Sequence, residues 1–450
     1  MIYTLLKFLC KITVHSYFRR VQIIGKEKIP VDGPCIYIAN HPSAFMDPIV
    51  VASTLSEPVY FIAAGEYVGT GAKGWIFKHL LHMIPVFRPS TRPEDVHKNK
   101  QMFEHCFSHL SEKRSLLIFP EGVSITERKI KPFKTGIARI SRGAELRNNL
   151  DLNINVVPIG LNYSDPHQFR SDLFVKIGDP ILVKDFISAT EKNEIEEVER
   201  LTQICEDALQ ETVIHTNNET DDSLLIKLNT IYSRDLKLEL GIEPKEQERE
   251  FIMQKEMIEA IEFFKINQLE KFNSVTKEIN DYALKLSENG LKDKDIMEIK
   301  FQKSFRRITS YILGFPFFVL GFLNNFIPYF FVQYLVAKIK LNENFKGSMI
   351  LAIGLFSFLG FYFGTSLLLG LLSPLGWWAL LYPFVMYISG IYSLIYFSAI
   401  YYSGKRKNLR RILKSNKEAL EELIVFRKKL ISMLDDCRVS FQENKKSQTT

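Results

Sequence analysis

Between residues 21 and 186 short apolar runs alternate with stretches of helical period. The runs fall at 21–25, 35–39, 58–64, 115–119, 155–162 and 173–178, and helical patterns near 48–56, 93–112 and 135–147 separate several of them. This alternation predicts an α/β domain over 21–186, with a largely buried sheet flanked by helices. From 187 to 305 the strand signal disappears. Glu, Lys, Leu and Ile recur there at helical spacing, with breaks at 217–222 and 241–244, which predicts a charged α-helical region.

Residues 306–403 are the most apolar part of the chain. The stretches 308–337, 349–372 and 375–402 are nearly free of charge, and the last two exceed the roughly 20 residues that cross a bilayer as a helix. Ser373-Pro374 between them predicts a transmembrane helical hairpin. Pro316, Asn324, Asn325 and Pro328 interrupt 308–337. Basic residues flank the zone at Arg306, Arg307, Lys338 and Lys340, and again at Lys405, Arg406, Lys407, Arg410 and Arg411. All of these lie on one face only if 308–337 enters and leaves on the same side, so a re-entrant hairpin is expected there. Residues 404–450 read as a basic, amphipathic cytosolic tail. Residues 1–20, apolar but carrying Lys7, Lys11 and His15, read as an amphipathic membrane-contact helix rather than a cleaved signal.

Composition narrows the class. The net charge of +7 suits an anionic membrane surface or a phosphorylated substrate. Without a zinc-finger, aromatic RNA-binding or helix-turn-helix pattern, nucleic acid is not an expected partner. The five cysteines, Cys10, Cys35, Cys106, Cys205 and Cys437, are scattered, with no spacing for a metal, and read as reduced thiols in a cytosol-like compartment.

The chemistry concentrates in two loops. Asn40-His41-Pro42-Ser43-Ala44-Phe45-Met46-Asp47-Pro48 directly follows the run 35–39. A loop leaving a buried strand of an α/β sheet is where such domains place reactive groups. A neutral His with a carboxylate partner can take a proton from an attacking hydroxyl. The bland reading is a loop histidine followed by a helix start, with Asp47 as cap and Pro48 in the first turn. The second loop, Pro120-Glu121-Gly122-Val123-Ser124, follows the run 115–119. Arg128, Lys129, Lys131, Lys134 and Arg139 come next, with Gly136 near a helix start. Basic side chains beside a helix N-terminus suit a phosphate, and a solvated basic loop is the alternative. Arg88 ends the run Met83-Ile84-Pro85-Val86-Phe87 and suits a bidentate phosphate contact. Pro158 sits inside a strand, where an edge, a bulge or a pocket wall would each explain it.

In this order, His41 with Asp47, Arg88, Phe119-Pro120-Glu121-Gly122-Val123-Ser124 and Val157-Pro158 resemble the four motifs of the glycerolipid acyltransferases. That family comprises the glycerol-3-phosphate and 1-acylglycerol-3-phosphate acyltransferases. The resemblance covers roughly residues 20–185, and Ile177-Gly178-Asp179-Pro180-Ile181 looks like the family's domain end. It implies an acyltransferase domain in which His41 is the general base and Asp47 its orienting partner. Arg88, Glu121, Gly122, Ser124 and Lys134 would surround the acceptor, and the strand of Pro158 would border the donor site. It implies acyl-CoA or acyl-carrier protein as co-substrate, with no cofactor and no metal. The absence of a Gly-x-Ser-x-Gly elbow agrees with direct attack.

One departure stands out: His41 and Asp47 are one residue further apart than in the family's commonest form. A regular helix would turn Asp47 away, so a bulged turn is required. That spacing, with Gly160-Leu161-Asn162-Tyr163, is similar to the yeast-type branch acting on glycerol-3-phosphate or dihydroxyacetone phosphate. The expectation is a membrane-bound enzyme of phospholipid biosynthesis, integral to the bilayer, with its catalytic domain on the cytoplasmic face. Its rivals are a lysophosphatidate or other lysophospholipid acyltransferase, a non-catalytic membrane scaffold, and an esterase or thioesterase. The sequence leaves the oligomeric state and the role of 187–305 open.

Overall fold

The structure, a computed structural model, describes residues 2–88, 91–188, 193–297, 305–339, 343–415 and 417–449. The chain forms two compact units. One joins Met1–His215 to Tyr334–Leu355, and the other joins Thr216–Gln333 to Phe356–Thr450.

The first unit is built on an eight-stranded mixed sheet: β1 (Arg20–Ile24), β2 (Cys35–Ala39), β3 (Val59–Ala64), β4 (Met83–Val86), β5 (Ser115–Ile118), β6 (Asn155–Tyr163), β7 (Asp172–Ile177) and β8 (Ile181–Leu182). The order is β1-β7-β6-β2-β5-β3-β4, with β8 beside β6. β2, β3, β4, β5 and β6 run parallel to one another, while β7 and β8 pair with β6 antiparallel.

Strands buried on both faces read as continuous apolar runs, and β2 and β5 are buried at every position. Alternation divides their side chains between two cores. Ile36, Ile38, Leu116, Ile118 and Val156 face the helices Asn99–Ser111, Gly136–Arg147 and Glu194–Gln210. Cys35, Tyr37, Ala39, Leu117, Val157 and Ile159 face Val14, Tyr17, Met46, Val50 and Leu351.

Two expected boundaries move. The helix Glu194–Gln210 belongs to this unit and not to a separate helical region, because its stripe Val198, Leu201, Cys205 and Leu209 fills the first core. Arg142 ties it further through a buried ion pair with Glu197 (2.8 Å). The helix Ile2–Tyr17 also joins the unit: Val14 and Tyr17 are buried in the second core, while Leu5, Phe8 and Ile12 stay exposed.

In the second unit the helices Glu219–Ile231, Gln247–Asn267, Leu269–Glu288 and Lys417–Thr449 pack together. The last of these lies in the stretch read as a basic, amphipathic cytosolic tail. Its stripe Leu420, Leu423, Leu430 and Leu434 is buried within this unit, and Arg427 reaches the buried Asp293 (2.7 Å).

Among the described residues three helices are long and apolar enough to cross a membrane: Thr309–Lys338, Phe345–Leu372 and Gly376–Tyr401. The hairpin expected inside 308–337 is absent, since one helix runs unbroken from Phe305 to Lys338 with Pro316 and Pro328 inside it. In an apolar setting, opening the backbone would strand polar groups without water, so the helix persists across its prolines. The two asparagines read as breakers serve as polar contacts. Tyr382 Oη donates to Asn324 Oδ1 (2.7 Å), and Asn325 Nδ2 donates to the Met386 carbonyl (3.0 Å). The break after Leu372 falls where Ser373-Pro374 placed it. Lys340, and the side chains of Arg306, Arg307, Lys405, Arg406, Lys407, Arg410 and Arg411, lie outside the described residues.

Candidate active site

The carboxyl ends of the parallel strands share one edge of the sheet, and the loop after β2 begins there. Asn40 fixes that loop to β6: its Nδ2 donates to the Leu161 carbonyl (3.0 Å) and its Oδ1 accepts from Leu161 N (2.8 Å). The chain then turns back at Ser43–Met46, closed by Met46 N donating to Ser43 O (2.9 Å), with Ala44 at φ 38°. This left-handed residue absorbs the extra position between His41 and Asp47. The helix Met46–Thr54 starts immediately, and its first turn brings Asp47 to the Nδ1 edge of the His41 ring.

Asp47 is fully buried and accepts three hydrogen bonds. Its Oδ2 takes His41 Nδ1 (2.8 Å) and the backbone N–H of Ser43 (2.7 Å), and its Oδ1 takes Tyr163 Oη (2.8 Å). A carboxylate at Nδ1 fixes the tautomer that carries its proton there and leaves the Nε2 lone pair outward. Among the described residues Nε2 has no hydrogen-bond partner. Phe119 stacks on the imidazole at 4.1 Å between ring centroids, which holds its plane. Burial and the nearby Asp47 push Tyr163 well above the ordinary phenol range, so its hydroxyl remains a donor to Asp47.

Tyr163, quoted from the sequence only within Gly160-Leu161-Asn162-Tyr163, was given no role in the site there, yet it holds Asp47. Val157, Ile159, Leu161 and Tyr163 alternate onto one face of β6, the face against which Met46 and Val50 pack. Strand alternation, followed to its last residue, contained that signal.

The loop after β5 clamps the first loop. Glu121 is buried and uses both oxygens on backbone donors, Oε1 on His41 N and Oε2 on Lys131 N (both 3.0 Å). Burial pushes its carboxyl above the ordinary range, and the two N–H donors partly offset this. Ser124 Oγ accepts from Ala44 N (2.8 Å), and Ile125 N donates to His41 O (3.1 Å). Gly122 turns the chain at φ 71°, where a side chain would be strained, and the Lys134 stem lies over its open face. Lys134 is exposed and precedes the helix Gly136–Arg147, whose N-terminus has no side-chain cap.

Arg88 follows β4, on the same edge of the sheet but three strand spacings from β2, roughly 14 Å along it. Among the described residues its guanidinium has no hydrogen-bond partner. The structure therefore brings His41, Asp47, Glu121, Gly122, Ser124 and Lys134 together and sets Arg88 three strands away on the same edge of the sheet.

Pro158 is neither at a sheet edge nor in a bulge. Its carbonyl accepts from Gly178 N (2.9 Å), and its missing N–H points the same way, into the gap where the partner of β6 changes from β8 to β7. The sheet loses no ladder bond there. Among the described residues no three His, Cys, Asp or Glu side chains gather as a metal site.

Residues 20–162 match the family model described as Acyltransferase. The chain is 29% identical to glycerol-3-phosphate O-acyltransferase 1 of Saccharomyces cerevisiae over 209 residues, 44% of this chain and 26% of the relative. It is 25% identical to glycerol-3-phosphate O-acyltransferase 2 of the same yeast over 261 residues, 56% of this chain and 34% of the relative. A chloroplastic 1-acyl-sn-glycerol-3-phosphate acyltransferase of Brassica napus is 26% identical over 136 residues, 30% of this chain and 37% of the relative. The chain thus spans between a quarter and two fifths of the length of these relatives.

Proposed function

From the match of residues 20–162 to the family model described as Acyltransferase, we propose that this chain transfers a fatty acyl group from an acyl thioester, acyl-CoA or acyl-carrier protein, to glycerol-3-phosphate or dihydroxyacetone phosphate. The observation that carries the reading is the pairing of His41 Nδ1 with buried Asp47 (2.8 Å), which leaves Nε2 free at the open edge of the sheet. In this mechanism Nε2 takes the proton of the acceptor hydroxyl as its oxygen attacks the thioester carbonyl. The C–O bond forms, the C–S bond breaks, and the proton passes to the departing thiolate. Asp47 balances the imidazolium while it lasts.

Lys134, the uncapped helix N-terminus at Gly136 and Arg88 supply positive ends for the acceptor phosphate. Glu121 and Ser124 act from below, holding the backbone of the first loop. The strand of Pro158 borders the donor. The three apolar helices fit a protein integral to a bilayer, where the acylated product would remain.

The test is acyl transfer by full-length, detergent-solubilised protein, with labelled glycerol-3-phosphate and a panel of acyl-CoAs, beside His41→Ala. Wild type should form lysophosphatidate. His41→Ala should lose about 10²- to 10⁴-fold in rate, the usual share of a general base. Near-normal turnover by the variant would refute the role of His41. The name of the Brassica napus relative favours a second reading, with lysophosphatidate as acceptor. Product from that acceptor alone would select it.

A further inference from the structure

The apolar helix Glu343–Leu372 begins against the His41–Asp47 loop, and its first turns belong to the same compact unit. Ser348 is fully buried there. Its hydroxyl donates to the carbonyl of Ser43 (2.6 Å) and accepts from the N–H of Met46 (3.0 Å). These two groups close the turn that returns Asp47 to His41. One position earlier, Gly347 N donates to His167 Nδ1 (3.3 Å). His167 Nε2 meets Thr126 Oγ1 (2.9 Å), which donates to the carbonyl of Pro42 (2.7 Å). The approach is close enough that a Cβ on Gly347 would clash with the Pro166 carbonyl oxygen. Phe345 adds a ring contact with Phe45 at 5.9 Å.

From this geometry we infer that Ser348 is a positioning residue for catalysis: the start of the apolar helix sets the shape of the loop that holds His41 against Asp47. The backbone supports this necessity. The turn carries Ala44 in a left-handed conformation that a free loop would leave readily. Glu121 and Ser124 hold it from one side at His41 N and Ala44 N, and Ser348 holds it from the other at Ser43 and Met46. A misplacement of about 1 Å in such a constellation costs on the order of 10²-fold in rate. The same contact ties the site to the point where the chain becomes apolar enough to enter a bilayer, which is where a membrane-held acyl chain would be found.

The inference rests on the acyl-transfer reading for its kinetic test and has a second readout that does not. Full-length Ser348→Ala and the near-isosteric Ser348→Cys are compared with Ser366→Ala. Ser366 is equally a buried serine of this helix hydrogen-bonded to a carbonyl, that of Ala379. Ser348→Ala should lower kcat roughly 10- to 100-fold with the KM of both substrates unchanged. Ser348→Cys, keeping the volume with a weaker donor, should fall between it and wild type. Separately, carbethoxylation of His41 by diethyl pyrocarbonate, followed at that residue by mass spectrometry, should change in rate in Ser348→Ala and not in Ser366→Ala. Wild-type kcat and His41 reactivity in Ser348→Ala would overturn the inference. So would an equal loss in Ser366→Ala, or failure of both Ser348 variants to give a cooperative melt, either of which would make Ser348 a packing residue. If wild type transfers no acyl group to any acceptor, the functional reading fails, and the His41 reactivity comparison still decides the role of Ser348.

Discussion

Replacing Asp47 by Asn isolates the charge of the carboxylate, because the surrounding donors dictate how the amide must sit. The Ser43 N–H and His41 Nδ1–H both point at Oδ2, so the amide oxygen must take that place. The amide NH2 then falls at Oδ1, where the Tyr163 hydroxyl oxygen can accept from it. The imidazole tautomer is preserved and every hydrogen bond has a partner. What is lost is the attraction between the imidazolium formed in the transition state and an adjacent anion. Unit charges about 4 Å apart at an effective dielectric of about 20 interact by about 4 kcal/mol. At 1.4 kcal/mol per decade that is roughly 10³-fold in kcat, an upper figure because the His41 side chain is partly open to solvent (19%). Steady-state kinetics of Asp47→Asn should therefore show a fall of about 10²- to 10³-fold with substrate KM values held and the thermal melt little changed. Activity within about twofold of wild type would show that the carboxylate charge does not act in the chemical step. A collapsed melt would show that the amide does not take the orientation argued here.

Arg88→Ala should raise the acceptor KM by roughly tenfold, the usual worth of one charge-assisted bond, with kcat little altered; an unchanged KM removes Arg88 from the phosphate site. Glu121→Gln should lower kcat, because an amide cannot accept from both His41 N and Lys131 N, and one of the two must face a donor. Titration of Glu121 gives a further sign to check. Burial holds its folded pKa above the ordinary carboxyl value, so its contribution to stability is fully present below that ordinary value and is lost as pH rises through the folded pKa. The melting temperature of wild type relative to Glu121→Gln should fall over that rise in pH, and an increase would contradict the burial argument. Leu201→Ala should destabilise the first unit by about 2–5 kcal/mol, read by denaturant unfolding, since Leu201 is fully buried in the core. A neutral result would return the helix Glu194–Gln210 to a separate region.

The parts of this molecule that were legible in the sequence are those whose signal is local. The buried strands read correctly as apolar runs because both of their faces are covered, and the two loops singled out in the sequence do leave the carboxyl ends of such strands. The bulged turn between His41 and Asp47 followed from counting residues, since no regular helix could bring the pair together. Helical period, by contrast, does not name the surface it will cover. Val198, Leu201, Cys205 and Leu209 form a stripe of the same kind as Leu224, Leu225, Leu228 and Ile231 in the next helix, yet the first fills the core beneath the sheet and the second belongs to the other unit. Pro and Asn mark helix ends in water, where exposed backbone can be solvated. In the helix Phe305–Lys338 the same residues are carried within a continuous helix, because an apolar environment offers the backbone no other partner. Ser348 was the least legible of all. A serine inside a long apolar stretch has no local pattern to distinguish it, and its partners at Ser43 and Met46 lie some three hundred residues away in the chain. Only closure of the fold shows that the loop carrying His41 is held at its second side by the start of an apolar helix, through the hydrogen bonds of Ser348 to Ser43 and Met46.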